Sequence, residues 1–221
     1  MAPLVKVCGM SEAPRIEEAC ALGAAFVGFV FYPPSPRAVD PATARQLAEH
    51  VAGPRIVGLF VDAEDEAIDA VLRHVPLDIL QLHGHETPER VRAIGLRTGL
   101  QTMKAIRVET ADDLATLDEH VDAADLVLFD AKPPRTPGWL PGGNGLPFDW
   151  TLLADLRLTK PWALAGGLTP DNVAAAVRTT GAPIVDVSSG IESRPGVKDP
   201  ARLASFLRTA ASLPADNGLA A

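Results

Sequence analysis

The most constraining feature of this chain is an alternation, repeated about eight times, of short apolar runs and longer Ala/Leu/Arg/Glu-rich segments. The runs Leu4–Cys8, Phe26–Phe31, Arg55–Val61, Asp78–Leu82, Leu100–Val108, Asp125–Asp130, Pro161–Ala165 and Ile184–Val187 are rich in β-branched and aromatic residues and read as strands. Helical segments are expected near 11–22, 40–52, 64–74, 87–97, 110–119, 148–157, 170–179 and 199–211. Four of them carry a start signal, an N-cap residue followed by proline: Asp40-Pro41, Thr87-Pro88, Thr169-Pro170 and Asp199-Pro200. Successive parallel strands need a crossover connection, usually a helix, and eight such units close into a (β/α)₈ barrel. An open doubly wound sheet shares the alternation. The unit count favours the barrel, and no G-x-G-x-x-G follows the first strand. The 221 residues fit a single barrel domain over 1–212, with 213–221 expected to be a disordered tail.

Two late loops narrow the function. Ala165-Gly166-Gly167-Leu168-Thr169-Pro170-Asp171-Asn172 and Ser188-Ser189-Gly190-Ile191-Glu192 each follow a strand and lead toward a helix start. Glycine lets backbone approach an anion, and free N–H groups at a helix start favour negative charge. Paired loops after the seventh and eighth strands are where barrel enzymes hold phosphate. Gly166, Gly167, Ser188, Ser189 and Gly190 are therefore the candidate phosphate-binding residues, and the partner is a small phosphorylated substrate.

Charge and cysteine content exclude other classes. A net charge of −8 argues against nucleic acid and anionic membrane as partners, so a phosphate must be held by local donors. The apolar stretch from Ala19 to Tyr32 is broken by Gly23 and Gly28 and stops at Pro33-Pro34, too short to span a bilayer. Two cysteines make no disulfide scaffold, and no signal peptide is evident, which suggests a cytoplasmic setting. The chain is expected to be a monomer or a homodimer.

Strand alternation puts Lys6 with Cys8, Gln81 with His83, Leu128 with Asp130, and Asp186 with Ser188 on common faces. If these faces point inward, the barrel mouth gathers a thiol, an acid, a histidine and, from the Tyr32-Pro33-Pro34-Ser35-Pro36-Arg37 loop, a guanidinium. Cys8 is either a general base, its pKa lowered by a cation such as Lys6, or a buried structural cysteine. Asp130 closes an apolar strand, where it either caps a turn or serves as an acid desolvated beneath a lid. Arg37 either grips a substrate anion or is a solvated arginine. His83 reads as a substrate contact and His85 as solvated. No cluster of Cys, His and carboxylate has ligand spacing, so no metal is expected. The Pro/Gly-rich stretch Lys132–Pro147 follows the sixth strand and reads as a mobile lid.

Taken in order, these motifs resemble the phosphoribosylanthranilate isomerase family, from Val5 to about Asp199. The resemblance rests on Lys6-Val7-Cys8-Gly9, Gly28-Phe29-Val30-Phe31-Tyr32-Pro33-Pro34-Ser35-Pro36-Arg37 and Gln81-Leu82-His83-Gly84. It continues through Leu128-Phe129-Asp130-Ala131-Lys132-Pro133-Pro134, Pro141-Gly142-Gly143-Asn144-Gly145, Leu164-Ala165-Gly166-Gly167-Leu168-Thr169-Pro170 and Asp186-Val187-Ser188-Ser189-Gly190-Ile191-Glu192. It implies an Amadori rearrangement of N-(5-phosphoribosyl)anthranilate in tryptophan biosynthesis, without metal or organic cofactor. It makes Cys8 the general base and Asp130 the general acid. Arg37, His83, Lys6, Gln81 and Asp186 become substrate-binding residues, with the phosphate held at the two loops. The chain departs from the family pattern in a longer lid segment at 135–140, and in Met10 where Ile or Leu is common. Two other readings remain: a related barrel isomerase acting on a phosphoribosyl compound of histidine synthesis, which looks like a carboxylate-pair catalyst, and a non-catalytic phosphate-binding barrel.

Overall fold

Eight parallel strands hydrogen-bond in sequence order and close on themselves in the computed structural model: β1 (Leu4–Cys8), β2 (Phe26–Val30), β3 (Arg55–Phe60), β4 (Ile79–Leu82), β5 (Gln101–Val108), β6 (Leu126–Ala131), β7 (Trp162–Leu164) and β8 (Ile184–Val187). The structure describes residues 2–115, 117–132, 142, 143, 145 and 147–213. Most of the expected lid, and residues 214–221 of the expected tail, lie outside them. The barrel closes where Lys6 of β1 is opposite Asp186 of β8. No described helix is long and apolar enough to cross a membrane.

The period of two that separates strand faces also separates two cores. Phe26, Val57, Ile79, Met103, Ala105, Leu126, Leu128, Ala163, Ala165 and Ile184 point inward and fill the barrel. The alternate residues, among them Val7, Val27, Phe129 and Val185, point outward into a larger core beneath the helices. Each strand is therefore buried on both faces, as a parallel sheet covered by helices requires. The inner apolar fill stops short of the C-terminal strand ends, where inward positions become polar: Cys8, Gln81, Asp130 and Asp186.

The helices are α1 (Ala13–Ala21), α2 (Pro41–Ala48), α3 (Asp65–Leu72), α4 (Pro88–Thr98), α5 (Leu117–Ala123), α6 (Val173–Thr180) and α7 (Pro200–Ala211). Asp40, Thr87 and Asp199 cap α2, α4 and α7 by accepting from the backbone N–H groups of Thr43, Arg90 and Arg202. The fourth start signal is displaced. The N-cap of α6 is Asn172, not Thr169. Asn172 Oδ1 accepts from Thr169 N at 2.7 Å and its Nδ2 donates to Gly167 O at 2.9 Å. Those bonds tie the Gly166-Gly167 loop to the helix start, so Thr169 and Pro170 remain in the loop.

Three further expectations are corrected. The segment expected to be helical at 110–119 divides into a 3₁₀ turn, Ala111–Leu114, and α5. The segment at 148–157 is only a 3₁₀ turn, Trp150–Leu153, closed by bonds such as Leu152 N to Asp149 O and Ala154 N to Thr151 O. One tight turn suffices there to bury Leu153 completely. The loop after β8 does not run straight into a helix. It makes a 3₁₀ turn, Ser189–Ile191, and then an antiparallel hairpin of β9 (Glu192–Arg194) and β10 (Val197–Lys198) before α7. This hairpin reaches back to the mouth: a Cβ on Gly196 would lie 2.5 Å from Pro36 O.

Candidate active site

The C-terminal strand ends surround a cavity of about 800 Å³, continuous with solvent at its mouth. Ten of the sequence-selected residues line it: Cys8, Arg37, Gln81, His83, Asp130, Gly166, Gly167, Asp186, Ser188 and Ser189. Val30, Tyr32, Leu59, Val61 and Leu168 supply apolar wall. Two selected residues lie elsewhere. Lys6 is fully buried and does not reach the cavity. Gly190 is turned into the protein, where a Cβ would fall 1.8 Å from Leu168 O.

Lys6 sits one inward position below Cys8 on β1 and donates to Asp186 Oδ1 at 2.9 Å. Burial alone would push the lysine pKa down, but the Asp186 and Cys8 charges outweigh it and hold the pKa above its ordinary value. Cys8 shows the opposite balance. Burial pushes the thiol pKa up, the Lys6 and Lys198 charges pull it down, Asp186 adds to the rise, and the outcome is upward. The expected lowering by Lys6 is thus overridden, because burial shields the sulfur from water and the Asp186 charge works against Lys6. Glycine at position 28 makes room for the sulfur: a Cβ there would lie 3.2 Å from Sγ.

Across the mouth, three steps around the barrel from β1, β6 presents Asp130. Its Oδ1 accepts from Ala131 N at 2.9 Å, and its Oδ2 is 3.1 Å from His83 Nε2. His83 Nδ1 is 2.9 Å from Gln81 Nε2. His83 is therefore a positioned partner of the carboxyl group. Gly142 covers the pair, since a Cβ there would stand 2.5 Å from His83 Nε2 and 2.7 Å from Asp130 Oδ2. On the other flank of the strand end, Arg107 donates to His83 O at 2.8 Å. Outside the barrel wall, Lys104 braces the same loop through Leu82 O, Gly84 O and Glu86.

Arg37 is 5% exposed and is held by a residue to which the sequence assigned no role. Glu192 of β9 takes Arg37 Nε and NH2 in a fork, at 2.7 and 2.8 Å, and Arg37 NH2 also donates to Gly143 O at 3.2 Å. Among the described residues NH1 alone carries no protein acceptor, and a Cβ on Gly143 would lie 2.7 Å from it. Lys198 donates to Glu192 Oε1 at 2.9 Å and to Ser188 O at 3.0 Å, so it links the arginine clamp to the loop after β8. Burial of Glu192 opposes ionisation, yet Arg37 and Lys198 hold its carboxyl below the ordinary value of 4.5. A stabilisation of this kind is complete above that ordinary value and disappears as pH falls through and below it. Glu192→Gln leaves two buried cations short of a partner, so unfolding should become easier by about 3–5 kcal/mol at neutral pH. Thermal melts at about pH 7 and about pH 4 should show the gap to wild type narrowing in acid. A gap that is constant with pH would mean the carboxylate charge is not what matters.

Among the described residues, the backbone N–H groups of Gly166, Gly167 and Ser189 have no protein acceptor. The first two glycines have φ of +83° and +63°, a backbone conformation that favours glycine. Gly166 also has no room for a side chain, because a Cβ would fall 2.8 Å from Ala131 N. Ser188 Oγ donates to Cys8 O at 3.1 Å, which joins this cup to the strand bearing the thiol. The arrangement can hold an anion with backbone donors and place a thiol and a carboxyl around the same bound molecule.

Residues 5–209 match the family described as N-(5'-phosphoribosyl)anthranilate (PRA) isomerase. The chain is 57% identical over 211 residues to N-(5'-phosphoribosyl)anthranilate isomerase of Paracoccus denitrificans, covering 95% of this chain and 98% of the relative. It is similar to the crystal structure of phosphoribosyl anthranilate isomerase from Thermotoga maritima, with a TM-score of 0.84, 34% identity, and coverage of 96% of this chain and 100% of the other. It is also similar, with a TM-score of 0.81, 32% identity and the same coverage, to a phosphoribosyl anthranilate isomerase in complex with reduced 1-(o-carboxyphenylamino)-1-deoxyribulose 5-phosphate.

Proposed function

Because the chain belongs to the N-(5'-phosphoribosyl)anthranilate isomerase family and carries out that isomerisation in tryptophan biosynthesis, we propose that Cys8 and Asp130 divide its proton transfers. The observation that carries this reading is their placement on the inner faces of β1 and β6, lining one cavity. Asp130 gives a proton to the ribose ring oxygen, the C1′–O bond breaks, and the anthranilate nitrogen closes a Schiff base at C1′. Cys8 takes the C2′ proton, and the electron pair moves to form the enolamine, which tautomerises to the ketone, 1-(2-carboxyphenylamino)-1-deoxyribulose 5-phosphate. The two roles need two groups on different sides of the sugar, and the barrel supplies them from strands on different sides of its mouth.

The free N–H groups of Gly166, Gly167 and Ser189, with the Ser188 and Ser189 hydroxyls, hold the phosphate. Arg37 offers NH1 to the anthranilate carboxylate, while Val30, Leu59 and Leu168 line apolar wall suited to its ring. The two cysteines are free thiols, which fits a reducing cytoplasmic setting. The activity is tested by the loss of phosphoribosylanthranilate fluorescence on adding purified protein. Ser189→Asp sets a carboxylate against the phosphate, and such like-charge contacts cost several kcal/mol. KM in this assay should rise at least about tenfold, with a much smaller change in kcat. An unchanged KM places the phosphate elsewhere.

A further inference from the structure

We propose that Gln81 is a positioning residue for the acid: by setting which nitrogen of His83 carries a proton, it decides whether His83 donates to Asp130 or accepts from it. The proposal rests on Asp130 being the acid and deepens that reading. Gln81 is completely buried, lines the cavity, and has a side-chain oxygen without a partner among the described residues. An orphaned buried amide oxygen is costly, and half a turn of the amide would bring this one to His83 Nδ1. With Nε2 of Gln81 donating to His83 Nδ1, the imidazole proton sits on Nε2 and is donated to the Asp130 carboxylate. That state suits an anion and cannot protonate a sugar.

Half a turn of the Gln81 amide reverses the sequence of donors. Oε1 then accepts from a proton on His83 Nδ1, and the amide NH2 takes the place that Oε1 held. The change takes up one proton from water, which binds at Nδ1. The proton on Nε2 passes to Asp130 Oδ2, leaving a neutral imidazole that accepts from the carboxyl group. Asp130 then gives this proton to the ring oxygen and returns to the carboxylate. The charged and titratable groups around the triad are Cys8 with Lys6 beneath it on β1, Arg37 after β2, Lys104 and Arg107 on β5, and Asp186 on β8. Arg107 and Lys104 bond to backbone oxygens of the β4 loop, and Lys104 also to Glu86. Lys6 and Asp186 satisfy each other, and Gln81 makes the one hydrogen bond to Nδ1 among the described residues.

The test uses the full chain with ¹⁵N-labelled histidine, alongside pH profiles of kcat. In the ligand-free wild type, His83 should show a proton on Nε2 and none on Nδ1. Gln81→Glu as the carboxylate can only accept, so Nδ1 should become protonated, and the alkaline limb of kcat should move to higher pH. Gln81→Met cannot accept, so that limb should move to lower pH and kcat should fall roughly tenfold, a part of the ~10²–10⁴-fold that a general acid contributes. A structural role would lower stability without moving the limb in opposite directions. If His83 Nδ1 stays unprotonated in Gln81→Glu, or both variants keep the wild-type limb, the proposal is overturned. If the tautomer follows residue 81 but Asp130→Asn retains the wild-type limb, the acid reading fails instead, and the link to catalysis falls with it.

Discussion

Asp130→Asn is expected to lower kcat by about 10²-fold or more, with KM changed far less. Asparagine keeps the shape of the side chain and can still accept from Ala131 N, as Asp130 Oδ1 does at 2.9 Å. What it cannot do is give up a proton to the ring oxygen. The phosphate cup proposed above is formed by loops after β7 and β8 and does not pass through this carboxyl group, so substrate should still bind. Steady-state kinetics with phosphoribosylanthranilate check the split, and turnover close to wild type would remove Asp130 from the chemistry. Circular dichroism of the same sample guards against loss of fold.

Cys8→Ser should cost kcat at least about a hundredfold as well, for a different reason. The hydroxyl fits where the thiol sits and can hydrogen-bond there, but it is a far weaker base at neutral pH. The direction of the thiol pKa adds a pH signature. Burial raises it above the ordinary value, against the pull of Lys6 and Lys198. A base must be deprotonated to act, so raising its pKa moves the ascending limb of activity upward. The ascending limb of the wild-type kcat/KM profile should therefore lie at higher pH than an unshifted thiol would give, and Cys8→Ser should lose that limb. A wild-type profile already flat below neutral pH would show that the sulfur is not the base, even if the serine variant were slow.

The fold is legible in the sequence to different degrees along the chain, for physical reasons. The α2, α4 and α7 starts were legible because Asp40, Thr87 and Asp199 bond to backbone three residues away, a local interaction. Thr169-Pro170 had the same look, yet α6 starts after Asn172, whose side chain makes no cap bond and instead ties Thr169 N and Gly167 O into the loop. Trp150–Leu153 formed only a 3₁₀ turn because burying Leu153 needed no more. Cys8, Gln81, His83, Asp130 and Asp186 were legible as a group through strand parity: every second residue faces inward, and polar residues at those positions stand out against the apolar fill. Parity also selected Lys6, but it cannot tell depth. Lys6 lies one position too far from the mouth and became the buried partner of Asp186.

The amino-acid order by itself determined the alternation of strands and helices, the inward set of each strand and the glycine loops, because these follow from periodicity and backbone sterics acting over a few residues. Only the closed barrel decided which charges meet. Arg37 and Glu192 are 155 residues apart, and nothing near either one announces the other. The upward shift of the Cys8 thiol likewise arises from removal of water and from where Lys6 and Asp186 fall in space. Burial and Coulomb energy depend on three-dimensional distance, which no spacing along the chain supplies.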